Sequence, residues 1–84
     1  MYLYILKNSI NNKFYIGTTK NLIRRLQEHN GENKHFTGKN QGIWNLVFKR
    51  EYQDETKARK EELRLKKSKS KKYILWYIES NQGS

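Results

Sequence analysis

Three charged or titratable side chains of this 84-residue chain occupy positions where an apolar residue is expected. Leu22, Arg25, Leu26 and His29 fall at i, i+3, i+4 and i+7, the spacing of one helix face. Ala58, Glu62 and Leu65 repeat that spacing at i, i+4 and i+7. A guanidinium, an imidazole and a carboxylate turned inward are groups that hold an oxyanion, move a proton and take a cation. Each has a neighbour on an outward phase: Arg24 beside Arg25, Glu28 beside His29, Glu61 beside Glu62. Solvation accounts for those neighbours. It does not account for the inward three, because desolvating a charge is costly without a partner. The alternative is structural, with Arg25 and Glu62 as a buried ion pair and His29 as a hydrogen-bonded core histidine.

The composition narrows the partner. Eighteen Lys and Arg against eight Asp and Glu leave a net charge of +10. Such a surface seeks polyanions, either nucleic acid or anionic membrane. The densest basic stretch, residues 57–72, has few apolar positions and lacks the wide apolar stripe of a membrane-surface helix. Nucleic acid is the expected partner, with no membrane. The absence of cysteine removes disulfides and thiolate chemistry and fits a cytoplasmic location. No apolar run is long enough to cross a bilayer, and no signal peptide is expected. Residues 1–84 are expected to form a single domain.

The elements that must position these residues follow from periodicity. Tyr2, Tyr4 and Leu6 alternate with Leu3 and Ile5, and both sets are apolar, so the first strand is covered on both faces. Asn8 to Asn12 is a turn, and Lys13 to Ile16 a return strand. A turn centred near residue 10 brings Tyr4 and Tyr15 within about one position of facing each other. Thr18, Thr19 and Asn21 offer caps for a helix from Leu22 to the Asn30-Gly31 stop. Residues 31–42 read as an exposed loop. Ile43 to Tyr52 is a third strand, with Trp44, Leu46 and Phe48 on one side and Asn45, Val47 and Lys49 on the other. Asp54 or Thr56 caps a second helix reaching about Lys67, and Tyr73 to Ile78 is a short final helix, though a strand fits its periodicity too.

Tyr2-Leu3-Tyr4, ten intervening residues, and Tyr15-Ile16-Gly17 together resemble the paired signature of the GIY-YIG nuclease superfamily. The segment Thr18 to His29 is similar to that family's next motif, with an arginine ten residues after the second tyrosine and a histidine four later. Ala58 to Lys66 resembles its helix with a metal-binding glutamate and a lysine four residues beyond. The likeness spans residues 2–78. It is greatest to the small stand-alone bacterial members, themselves similar to the N-terminal nuclease domain of the UvrC excision-repair protein. Tyr2 stands where the first motif has glycine, Lys39-Asn40-Gln41 lacks a basic-plus-proline pattern, and Asn81 is the nearest match to a final asparagine motif.

The resemblance implies an α+β fold: a three-stranded antiparallel sheet flanked by helices, in the order β-β-α-β-α-α. It implies a metal-dependent endonuclease hydrolysing DNA phosphodiesters in branched, nicked or single-stranded DNA. RNA is a second candidate substrate, and a non-catalytic DNA- or RNA-binding module of the same fold is the alternative. Catalytic roles are carried over to Tyr4, Tyr15, Arg25, His29 and Glu62. Tyr15 is the base for the attacking water, or relays a proton to a metal-bound hydroxide or to His29; Tyr4 positions water or phosphate, and Arg25 forks onto a phosphate as a lysine cannot. His29 relays a proton or bonds a phosphate, and Glu62 binds the metal. Tyr4, Tyr15, Arg25 and Glu62 are then expected on one shallow surface. With a single inward carboxylate, one divalent cation is expected, Mg²⁺ or Mn²⁺, and no small-molecule cofactor. His35 is either a second relay residue or an ordinary loop histidine. Lys20, Arg24, Lys34, Lys39, Lys66, Lys67, Lys69, Lys71 and Lys72 are the expected phosphate-tracking residues, although residues 66–72 also fit a solvated charge run.

Overall fold

The computed structural model describes residues 1–30 and 43–81. In chain order these form β1 (Tyr2–Asn8), β2 (Phe14–Thr19), α1 (Leu22–Asn30), β3 (Trp44–Glu51), α2 (Glu55–Ser68) and α3 (Lys71–Asn81). The sheet is antiparallel in the order β2-β1-β3. The expected α+β order is the one observed. The readings made for the loop over residues 31–42, including Lys34, His35 and Lys39, fall outside the described residues.

Because β1 is central, both of its faces need apolar cover, and Leu3, Tyr4, Ile5 and Leu6 are all buried. Leu3 and Ile5 share one face with Ile16 and Phe48, against Leu65 of α2 and Ile74, Tyr77 and Ile78 of α3. Tyr4 and Leu6 share the other face, where α1 lies near β3.

Short polar side chains set the joints between elements. In the hairpin turn, Asn8 Oδ1 accepts from the N–H groups of Ile10 (2.9 Å) and Asn11 (3.2 Å). Asn12 takes a left-handed conformation at φ 61, which asparagine tolerates. Asn21 caps α1 by accepting from the Arg24 N–H at 3.0 Å, and Asp54 caps α2 by accepting from the Thr56 N–H at 2.8 Å. Past α1, the Asn30 side chain pairs with the Trp44 backbone as a strand would. It donates to the carbonyl (2.8 Å) and accepts from the N–H (2.7 Å), clamping α1 to the start of β3.

Four expectations change. Tyr4 faces Gly17 and Leu6 faces Tyr15, so the tyrosines are offset by two positions rather than one. An even offset keeps them on the same face. In β3 the register slips between Ile5–Phe48 and Leu6–Leu46, a bulge that absorbs Val47. Phe48 therefore joins the α2–α3 core, while Trp44 and Leu46 turn to the Tyr4 face. The final helix is longer than expected, because Ser70 caps it by accepting from the Tyr73 N–H at 3.1 Å. Glu61, expected in solvent, is only 22% exposed: it takes a hydrogen bond from the Tyr77 hydroxyl at 2.8 Å and an ion pair from Arg64 at 2.7 Å. It ties α3 to α2.

Candidate functional site

Gly17 is where the site begins. Tyr4 crosses from the central strand over the position opposite it, and a Cβ on residue 17 would lie 2.7 Å from the Tyr4 hydroxyl oxygen and 3.1 Å from Tyr15 Cε1. The missing side chain lets the two tyrosines stack, with ring centroids 6.1 Å apart and planes 25° from parallel. Tyr4 is 2% exposed and Tyr15 40%, so one phenol is enclosed and the other meets solvent. From α1, His29 sets its ring edge-to-face against Tyr15 at 4.5 Å and brings Nε2 within 3.3 Å of the Tyr4 hydroxyl. Trp44 closes the cluster, 6.3 Å from both Tyr15 and His29.

This enclosure sets the protonation states. Burial raises the Tyr4 pKa well above the ordinary phenol range; Tyr15 adds to the effect and Arg25 opposes it. Tyr4 is thus a neutral donor. Burial lowers the His29 pKa, assisted by the positive charge of Arg25 and opposed by Glu28, so a neutral imidazole is favoured. The Tyr4 contact serves either tautomer: Nε2 accepts from the Tyr4 hydroxyl when Nδ1 carries the imidazole proton, and donates to the Tyr4 oxygen when Nε2 carries it, leaving Nδ1 free.

Arg25 is not buried. Its side chain is 45% exposed and lies 3.5 Å from Glu28. It lines a polar groove of about 390 Å³ together with Thr18, Lys20, Arg24, Glu55 and Arg59. Glu62, 18% exposed, accepts from the Thr18 hydroxyl at 3.2 Å and pairs with Lys66 at 2.6 Å. The buried Arg25–Glu62 ion pair is therefore not formed: each charge has its own partner. Thr18 faces Leu3, on the α2 side of the sheet, whereas Tyr4 and Tyr15 occupy the opposite face. The single shallow surface expected for Tyr4, Tyr15, Arg25 and Glu62 is therefore not formed, because Glu62 meets the sheet on the side opposite Tyr15. The four residues wrap around the open edge of β2, and Tyr4 lies within the electrostatic reach of both Arg25 and Glu62.

Of the carried-over residues, Tyr4, Tyr15 and His29 are in mutual contact, while Arg25 and Glu62 flank them through the Thr18 end of β2. Lys20 and Arg24 share the Arg25 groove, with Arg24 also paired to Glu28 at 3.2 Å. Lys67 and Lys72 are exposed, and Lys66, Lys69 and Lys71 border a second groove beside β2. Asn81 donates to the Tyr77 carbonyl at 2.8 Å at the end of α3. Two members of the site escaped the sequence reading. Trp44 was hidden by the β3 bulge. Thr18 offers a cap oxygen and opens the second motif, and neither signals its hydrogen bond to Glu62. Among the described residues, no three His, Cys, Asp or Glu side chains cluster to hold a metal ion.

A small α+β unit with a tyrosine–histidine cluster on a basic scaffold is suited to handling phosphodiesters. The model of the GIY-YIG catalytic domain family matches residues 1–74, and the chain belongs to that family. The family is one of nucleases. No curated protein and no solved structure gives a significant match to the chain. Among the described residues, no helix is long and apolar enough to cross a membrane.

Proposed function

We propose that this chain is a divalent-metal-dependent endonuclease that hydrolyses phosphodiester bonds in DNA, working as a single domain in the cytoplasm. The observation that carries this reading is the contact of solvent-exposed Tyr15 with an imidazole whose environment favours its neutral form, itself held by a buried, neutral Tyr4. Tyr15 takes a proton from the attacking water as it passes its own to His29 in the tautomer whose Nε2–H donates to the Tyr4 oxygen, which leaves Nδ1 free to accept. Tyr4 stays protonated and fixes the His29 ring. Arg25, with Lys20 and Arg24 on the same groove wall, binds the non-bridging phosphate oxygens through its fork of N–H donors.

The donor chemistry at Glu62 fits a hard divalent cation. One carboxylate, with substrate phosphate oxygen and water completing the shell, is the kind of set that Mg²⁺ or Mn²⁺ accepts. Glu62 would hold it, and the ion would neutralise charge developing on the leaving oxygen. Lys66 has to give up its 2.6 Å pair for this. That pair is also what favours the second reading, a DNA- or RNA-binding module in which Lys66 keeps the carboxylate neutralised and no cutting occurs. Membership of the UvrC-like branch is part of the proposal and rests on motif spacing.

The discriminating experiment incubates pure protein with duplex, nicked, branched and single-stranded DNA, each with Mg²⁺, Mn²⁺ or EDTA. Metal-dependent cleavage that Tyr15→Phe and Glu62→Ala both abolish supports the endonuclease. Binding without cleavage under every condition supports the module instead.

A further inference from the structure

A second groove, of about 420 Å³, runs beside β2, the edge strand of the sheet, towards the α2–α3 junction. Its floor is apolar, built from Phe14, Ile16, Leu65 and Ile74. Its rim is basic, carrying Lys13, Lys69 and Lys71, with Lys66 engaged by Glu62. Tyr15 borders it between Phe14 and Ile16 with its phase on the opposite sheet face, so the groove and the tyrosine–histidine cluster lie on the two sides of the β2 edge.

The backbone adds an independent sign. Lys69 ends α2 in the left-handed conformation, φ 49 and ψ 27. Glycine is the residue this position favours, because a Cβ there meets the following carbonyl. A lysine in its place gives up stability and sets a positive charge at the groove rim. Ser70 and Lys71 follow as cap and first residue of α3, so the positive end of that helix faces the same opening.

We propose that this groove holds an unpaired nucleotide across the β2 edge from the phosphate at Tyr15, its base on the Phe14–Ile16–Leu65–Ile74 floor and its backbone on Lys13, Lys69 and Lys71. An apolar slot with a cationic rim suits a base joined to a phosphodiester, and it suits a stacked, paired base poorly. Within the nuclease reading, on which this inference rests for the position of the scissile phosphate, the substrate is DNA with a single-stranded stretch at the cut. Cleavage falls beside that stretch.

The test is binding, measured in EDTA, so that it stands whether or not the protein cuts. Fluorescence anisotropy compares a single-stranded oligonucleotide, the same strand carrying consecutive abasic sites, and a duplex of equal length. The intact single strand should bind about tenfold more tightly than the abasic one, since both carry the same charge and differ in bases to stack. Lys69→Gly should raise the melting temperature by about 3–5 °C while weakening single-strand binding about threefold. The combined variant Lys13→Ala, Lys69→Gly, Lys71→Ala should lower the single-strand salt slope by about 2. Equal affinity for intact and abasic strands would overturn the proposal. So would equal loss on duplex and single strand in the combined variant, which would reduce the rim to general phosphate attraction. A concentration-dependent dimer, broken by the rim variants and indifferent to oligonucleotide, would give the groove to a second copy of the chain.

Discussion

Gly17→Ala adds one methyl group, and two opposing effects decide its consequence. Gly17 carries no left-handed strain, so alanine should suit the strand backbone better by about 0.5–1 kcal/mol. Against this, the new Cβ lies 2.7 Å from the Tyr4 hydroxyl oxygen and 2.9 Å from its Cζ. Ordinary contact begins near 3.4 Å, so the phenol must retreat by about 0.7 Å. It has little room to do so. Tyr4 is 2% exposed, stacked on Tyr15, and held by His29 at 3.3 Å. Overpacking at such a site costs about 1–3 kcal/mol, so the clash outweighs the backbone gain and the net loss is about 1–2 kcal/mol. For a domain of this size that lowers the melting temperature by about 5–10 °C. The functional loss is larger in proportion, because 3.3 Å is already a long hydrogen bond and a shift of that order breaks it. A misplacement approaching 1 Å costs about 10²-fold in rate. Thermal unfolding by circular dichroism and cleavage of a labelled oligonucleotide measure the two effects. Tyr4→Phe in the Gly17→Ala background removes the closest atom and should return part of the stability but not the activity. A Gly17→Ala protein that melts at or above the wild-type temperature and cuts normally would refute the reasoning.

The remaining predictions concern charge. Glu61→Ala should destabilise the fold by about 1–3 kcal/mol, because it leaves the Tyr77 hydroxyl without its acceptor and removes the carboxylate partner of Arg64, which keeps its bond to the Tyr73 hydroxyl. Arg64 holds the Glu61 pKa below the usual carboxylate range, so that stabilisation is present above the ordinary value and lost as pH falls through the lowered one. Glu62→Ala should instead remain folded and bind DNA equally or more tightly in EDTA, while metal-dependent cleavage disappears; denaturant melts and filter binding separate the two variants. His29, with its lowered pKa, stays neutral to lower pH than a free imidazole, so the acid limb of cleavage should fall below pH 6.5. Its contribution to stability has the same sign, full above the unfolded value and lost as pH drops through the folded one, and His29→Ala should remove that dependence. If about six cationic side chains engage duplex phosphates, affinity should fall on the order of 10³-fold between 50 and 200 mM salt, and a flat titration would assign the +10 charge to another task.

Period-2 and period-3.6 patterns read well wherever one rule acted alone. In β1, apolar residues on both phases signalled a strand covered on both sides, and such a strand sits in the middle of its sheet. Asn21 and Asp54 announced the helix starts because a short polar side chain satisfies the free N–H groups there. Tyr4, Tyr15 and His29 were legible as a set because motif spacing fixes which strand and helix turn they occupy, and their contact follows from an antiparallel hairpin leading into a helix.

What chain periodicity did not carry was set by neighbours distant in sequence. One extra residue at the β3 bulge reversed the faces of Trp44 and Leu46 relative to Phe48, and alternation does not report an insertion in its own strand. Glu61 and Glu62 look alike on a helical wheel. α3 covers Glu61 with Tyr77, and β2 meets Glu62 with Thr18, so one carboxylate became a brace and the other a candidate ligand. Sharing a face with Leu22 and Leu26 predicts an inward Arg25. α1 buries no residue fully, since it lies over the rim of the sheet near β3, and its cationic side chain extends into an open groove. The sequence by itself determined which local structures form and which side chains they carry, because hydrogen-bond periodicity and capping act within a few residues. Which charge is paired, which is exposed and which edge of the sheet stays open were decided by the packing of α2 and α3 on β2, contacts that no local spacing encodes.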